Sequence, residues 1–233
     1  MQLSDLQTQV GILTNDPSHA RYQITDITTE LNNTVRQWNA EIKIIKFTMT
    51  LTVVAGQRQY DMFSLMTGIP IGFTRVTFKG IDLKKRSKSY FDLYTSYDWT
   101  QIIGTPTDYF IEFSGSPTVP NNQAFLTVYP TPTTNDIGAN LVVEYFIDSG
   151  DMGSPTDVPF QTSGFTTYLT LPYDFYVAYS AAARLLARDP SPENESRIAN
   201  YLKIADGGKE LLINVFKQLE VDEPMRLRGG RSW

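Results

Sequence analysis

The chain has no cysteine, and its one histidine is His19. The first absence excludes disulfide staples and thiolate metal sites and is compatible with a reducing cytoplasm. The second leaves His19, in the turn-like DPSHARY, with no imidazole or thiolate partner for a transition-metal set. No run approaches the roughly 20 consecutive apolar residues that span a bilayer. The opening MQLSDLQTQVGIL carries an acid where a signal peptide has a basic flank, so a secretory route is not expected. No P-loop, dinucleotide fingerprint, G-x-S-x-G or H-E-x-x-H occurs. The carboxylates of Glu220, Asp222 and Glu223 lie close together, but acid–base work needs carboxyls in contrasting environments, and these look equally solvated. No catalytic, cofactor or metal site is therefore expected, and the chain reads as a non-enzyme. The net charge of -5 offers no concentrated basic face for tight, sequence-independent DNA binding. It suits a surface that nucleic acid slides past.

What is present is periodicity. Leu3, Leu6, Val10 and Leu13 predict a short helix over 2–13, stopped by Asn15-Asp16-Pro17-Ser18. Ile27, Leu31, Val35, Trp38, Ile42 and Ile45 predict a core-facing helix over 25–45, with Thr25 as N-cap. The period then becomes two: Phe47, Met49, Leu51 and Val53 alternate with threonines. TVVAGQRQYDM (52–62) reads as a hairpin, with Ala55-Gly56-Gln57 as the turn and Tyr60 facing inward. Further strands are expected near 72–78, 108–113, 124–129 and 141–147, followed by a loop over 148–165. Helical spacing returns over 173–188, alanine-rich in its second half and therefore suited to close helix packing, and over 193–219. Gly207-Gly208 inside the last helix costs about 1 kcal/mol per glycine relative to alanine, which predicts a kink or a tight contact there.

The expected fold is α+β: terminal helices packed as a bundle (1–45 and 172–219), an inserted antiparallel β-rich domain (46–171) and an extended tail (220–233).

Two stretches invite functional readings. LKKRSKSYFDLYTSYDW (83–99) sets Lys84, Lys85, Arg86 and Lys88 beside Tyr90, Phe91, Tyr94, Tyr97 and Trp99. Cations interleaved with aromatics bind single strands by stacking, but Asp92 and Asp98 interrupt the run. The reading is a solvated hairpin followed by core residues, with a channel or interface loop as the functional alternative. The tail holds Met225, Arg226, Leu227, Arg228, Arg231 and Trp233, residue types favoured at interface hot spots. It reads as a docking peptide or as a frayed terminus.

In order along the chain, these features resemble the phage head-to-tail adaptor (connector) family. The carrying residues are MQLSDLQTQVGILTNDP, then ITDITTELNNTVRQWNAEI as the second helix. TVVAGQRQYDM is similar to the family's T-V-A-G-Q-R-E-Y-D-L, and GTPTDYFIEF to its G-x-P-x-x-Y. FLTVYPTP is similar to L-x-L-Y-P-x-P, followed by LVVEYF, and LPYDFYVAYSAAARLLARD to the family's L-P helix. Arg21-Tyr22-Gln23-Ile24 departs from the usual tryptophan–acid start of the second helix, and the loops 114–123 and 148–165 are long.

The resemblance implies a structural protein of the virion at the head–tail interface, assembled in the host cytoplasm. Its expected partners are the portal protein, tail proteins (nozzle, tube or fibre-anchoring) and itself, as a homododecamer. Double-stranded DNA would cross the lumen without specific binding. No cofactor and no membrane are implied. The tail would reach the portal or a neighbouring subunit. The rival from another class is a carbohydrate- or receptor-binding module of a phage tail that uses Tyr90–Trp99 as a sugar platform. A further rival is a packaging factor that binds nucleic acid through the 84–88 cations.

Overall fold

The computed structural model describes residues 1–94, 98–114, 123–160 and 172–221. The chain divides into two compact units, one built from Met1–Ile45 with Asp148–Trp233 and one from Lys46–Ile147.

The first unit is helical. α1 (Leu3–Leu13), α2 (Ile24–Ile42) and α5 (Pro192–Val221) pack against α4 (Asp174–Leu186). The alanines explain why α4 sits at the centre. Ala178, Ala181, Ala182 and Ala183 are all buried, and side chains this small admit neighbours on several sides. Leu6, Val10, Ile27, Leu31 and Val35 come from the predicted stripes and are buried around it.

Local chemistry sets the helix ends. α2 stops at Lys43, which turns into the left-handed region at φ 61, so Ile44 and Ile45 enter the core from a non-helical backbone. Gln23, not Thr25, occupies its N-cap position. Thr25 lies inside the first turn and accepts on its carbonyl from the Thr29 hydroxyl. After α1, the Asp16 carboxylate accepts the backbone N–H groups of Ala20, Arg21 and Tyr22, and these bonds hold it below the usual carboxylate range. The free C-terminal carbonyl of Leu13 accepts from Arg197 and from the Tyr201 hydroxyl at 2.9 Å. α5 begins with Pro192 at its first position, where the missing N–H costs nothing.

The segment after Ile147, expected within the β domain, belongs to the helical unit. Asp157 and Pro155 accept on their carbonyls the otherwise free N–H groups of Leu3 and Ser4 at the start of α1, at 2.7 and 3.1 Å. The Asp157 carboxylate closes the loop by accepting from Gly153 and Ser154. Asn32 on α2 clamps both backbone groups of Met152, and Arg36 donates to Asp151 at 2.8 Å. A helix N-terminus needs four such acceptors from somewhere, and this loop supplies two.

The second unit carries β1 (Lys46–Thr52), β2 (Gln59–Asp61), β3 (Pro70–Phe78), β4 (Ile81–Asp82) and β5 (Lys84–Lys85). These are followed by α3 (Lys88–Tyr94), β6 (Asp108–Ser114), β7 (Gln123–Tyr129) and β8 (Asn140–Ile147). They form two four-stranded sheets, ordered β1-β8-β3-β4 and β2-β7-β6-β5, antiparallel except for the short β5–β6 pair. Met49, Leu51, Val76, Leu141 and Val143 bury one face of the first sheet, and Tyr60, Tyr109, Leu126 and Val128 one face of the second.

TVVAGQRQYDM is not a hairpin. β1 pairs with β8 and β2 with β7, so residues 53–58 cross from one sheet to the other. Hydrogen bonding decides this: the Val53 and Gly56 N–H groups go to the Ala139 and Pro132 carbonyls rather than to β2. Tyr60 does face inward. Its hydroxyl donates to the Gln57 carbonyl at 2.8 Å and accepts from the Val54 N–H at 3.4 Å, which pins the crossing to the strand it leads into.

Candidate functional site

The four cations of 84–88 occupy different settings. Lys84 and Lys85 lie exposed on β5, whose backbone pairs with β6. Arg86 donates to Asp108 at 2.9 Å and stacks on Tyr90, its guanidinium carbon 4.6 Å from the ring centroid. The Asp108 hydrogen bond raises the Arg86 pKa. Lys88 donates to Glu112 at 2.8 Å, and that bond raises its pKa.

Phe91 and Trp99 of this stretch pack with each other and with rings of the second sheet. Phe91 is buried from α3, its ring centroid 5.0 Å from Tyr129, 5.4 Å from Trp99 and 5.5 Å from Phe110. The expected hairpin at 83 is a short strand and a helix, because Phe91 at helical spacing covers the second sheet. Tyr97 lies outside the described residues.

Strand alternation explains a polar basin beside this cluster. In β7, Leu126 and Val128 point to the core, so Thr127 between them points the other way, with Gln59 and Phe110 opposite it on β2 and β6. α3 and the turn at Trp99–Gln101 wall off this outer face. The basin is open on one side and has a volume of about 460 Å³; among the described residues it is lined by Arg58, Gln59, Lys88, Asp92, Asp98, Trp99, Thr100, Phe110, Glu112 and Thr127. Arg58 lies over the Trp99 ring, 5.3 Å from its centroid, and donates to the Thr100 carbonyl at 3.1 Å. Asp92 accepts from the Trp99 indole at 2.9 Å. Asp98 accepts from the Thr100 hydroxyl and N–H, and these bonds hold its carboxyl below the usual range. Sequence reasoning named Lys88 and Trp99 but not Arg58, Gln59, Glu112 or Thr127. Only the register of β2, β6 and β7 brings these together.

His19 adopts a left-handed backbone, φ 57, and packs against Gly11, where a Cβ would lie 2.8 Å from its ring. Among the described residues no group of three or more His, Asp or Glu side chains is placed to hold a metal ion, and no helix is long and apolar enough to cross a membrane. The tail residues Met225, Arg226, Leu227, Arg228, Arg231 and Trp233 lie outside the described residues, as do Asp222 and Glu223.

The chain thus comprises a helical unit drawn from residues 1–45 and 148–233 and a two-sheet unit from Lys46 to Ile147, the latter carrying the basin. The family model of the SU10 adaptor protein matches residues 1–225, and the chain belongs to that family of phage adaptors. A search of the curated proteins found no match.

Proposed function

We propose that copies of this chain close into a ring that docks on the portal and joins the capsid to the tail, leaving a channel through which DNA passes. The observation that carries the reading is family membership along residues 1–225, nearly the full chain. A closed ring needs one heterologous interface repeated until it meets itself, so the work is done by shape and by matched surfaces. The acidic balance, -5 per chain, fits a lumen that packaged DNA crosses without adhering.

The tail, through Met225, Arg226, Leu227, Arg228, Arg231 and Trp233, is the proposed contact to the portal or to a neighbouring subunit. The segment carrying Lys84, Lys85, Arg86 and Lys88 is proposed to face the channel or an interface. Electron microscopy of the full chain mixed with its cognate portal tests this reading. A ring stacked coaxially on the portal is the expected image, and particles that ignore the portal refute it. Removing 223–233 is expected to abolish portal co-sedimentation while leaving the far-UV circular dichroism unchanged.

A further inference from the structure

We propose that the basin on the outer face of β2, β7 and β6 docks an arginine-bearing peptide segment of a partner polypeptide. The inference rests on the adaptor reading only in so far as an adaptor has polypeptide partners.

The floor is the first observation. Thr127 is 3% exposed, and its Oγ1 has no hydrogen-bond partner. A buried hydroxyl in this state costs stability until something entering the basin bonds it.

The second is charge. Both cations of the lining are already engaged: Arg58 by the Thr100 carbonyl and the Trp99 ring, Lys88 by Glu112. The carboxylates of Asp92 and Asp98 accept from neutral donors, and among the described residues neither takes part in an ion pair. Among the described residues the lining therefore carries three carboxylates, Asp92, Asp98 and Glu112, against two cations, Arg58 and Lys88, an excess of one negative charge.

The third is shape. About 460 Å³ exceeds one side chain and suits a short segment.

Guanidinium meets all three. It donates in plane to carboxylates, and a remaining N–H can reach the Thr127 hydroxyl. An anion would confront three carboxylates. A purely apolar ligand would bury Thr127 and the acids without partners. A saccharide would want an open ring face, and Arg58 lies over that of Trp99.

The test titrates the labelled peptide acetyl-Gly-Arg-Ala-Arg-Gly-amide into the full chain and follows fluorescence anisotropy at low salt. Saturable binding is expected, weakened roughly tenfold or more by Asp92→Asn with Asp98→Asn, and equally by replacing both peptide arginines with citrulline. Thr127→Val is the discriminating variant: it should weaken binding several-fold while raising Tm, because it deletes an unpartnered hydroxyl. If Thr127 serves the fold alone, Val lowers Tm and leaves binding untouched. Absence of saturable binding, indifference to the two aspartates, or saturable binding of a neutral saccharide instead overturns the proposal. A chain that stacks on the portal yet ignores the peptide sinks the basin alone. One that binds the peptide and never stacks sinks the ring and leaves the basin standing.

Discussion

Two neighbouring glycines in α5 should respond to the same substitution with opposite sign. Gly207 is exposed, and a Cβ built on it meets nothing within 4 Å. Gly207→Ala should therefore return the helix-propensity difference, about 0.8–1 kcal/mol of added stability. Gly208 is buried against α4, and its Cβ would lie 2.1 Å from Tyr176 Cγ and 2.6 Å from Tyr176 Cβ. Carbon atoms rest at roughly 3.5–4.0 Å, so the two helices would have to move apart by about 1 Å or more. Rotating the ring does not help, because Cβ is fixed to the α4 backbone. Overpacking of this kind costs about 1–3 kcal/mol or more. A 2.1 Å approach belongs at the upper end of that range, so after the propensity gain of about 1 kcal/mol is subtracted a net loss near 2 kcal/mol remains.

Thermal unfolding followed at 222 nm reads both changes. For a chain of this size 1 kcal/mol moves Tm by about 2–4 °C. Gly207→Ala should raise Tm by about 2–4 °C and Gly208→Ala lower it by about 4–8 °C. Adding Tyr176→Ala to Gly208→Ala removes the Cγ and Cδ2 contacts, so the pair should cost less than the sum of the two single changes, a coupling of about 1 kcal/mol or more. If Gly208→Ala stabilises as Gly207→Ala does, the close approach of α4 and α5 is wrong.

Three further outcomes follow from the geometry. Burial raises the Asp174 carboxyl to about 6, against the pull of the Met1 ammonium 2.6 Å away. The folded state then holds a proton that the unfolded state has released between pH 4 and 6, so this group's contribution is full below pH 4. It should fall by about 3 kcal/mol as pH rises to 6 and stay level above. In urea titrations wild type should lose about 3 kcal/mol relative to Asp174→Asn, which has no such proton to release, between pH 4 and pH 7, and parallel behaviour of the two would refute the burial argument. Tyr60→Phe removes the hydroxyl that serves both Val54 and Gln57 and should cost about 1–2 kcal/mol, with faster hydrogen exchange at Val54 as the local signature. Asp157→Ala frees the Gly153 and Ser154 N–H groups and loosens the loop that accepts from α1. A loss of about 1 kcal/mol with quicker exchange at Leu3 and Ser4 is expected, and unchanged exchange there would count against the capping role.

The helices were legible because a core stripe repeats within a single segment: Leu31, Val35 and Trp38 announce their buried face without reference to anything else. The strands were legible for the same local reason, but their partners were not. β1 finds β8 across nearly a hundred residues, and nothing in Thr52–Met62 tells a hairpin from a crossing between sheets. The segment 148–160 looked like an exit loop because its value lies in carbonyls offered to α1, and backbone acceptors leave no mark in side-chain pattern. The basin escaped notice on the same ground. Thr127 is one polar residue in an alternating strand, and Arg58 and Glu112 reach it only through register.

The helical unit takes its residues from both ends of the chain, whereas the two-sheet unit is continuous from Lys46 to Ile147. During synthesis the sheets can therefore close on the ribosome while α1 and α2 still wait for α4 to emerge. Released fragments ending before residue 172 should already resist protease over 46–147 and remain cleavable ahead of it.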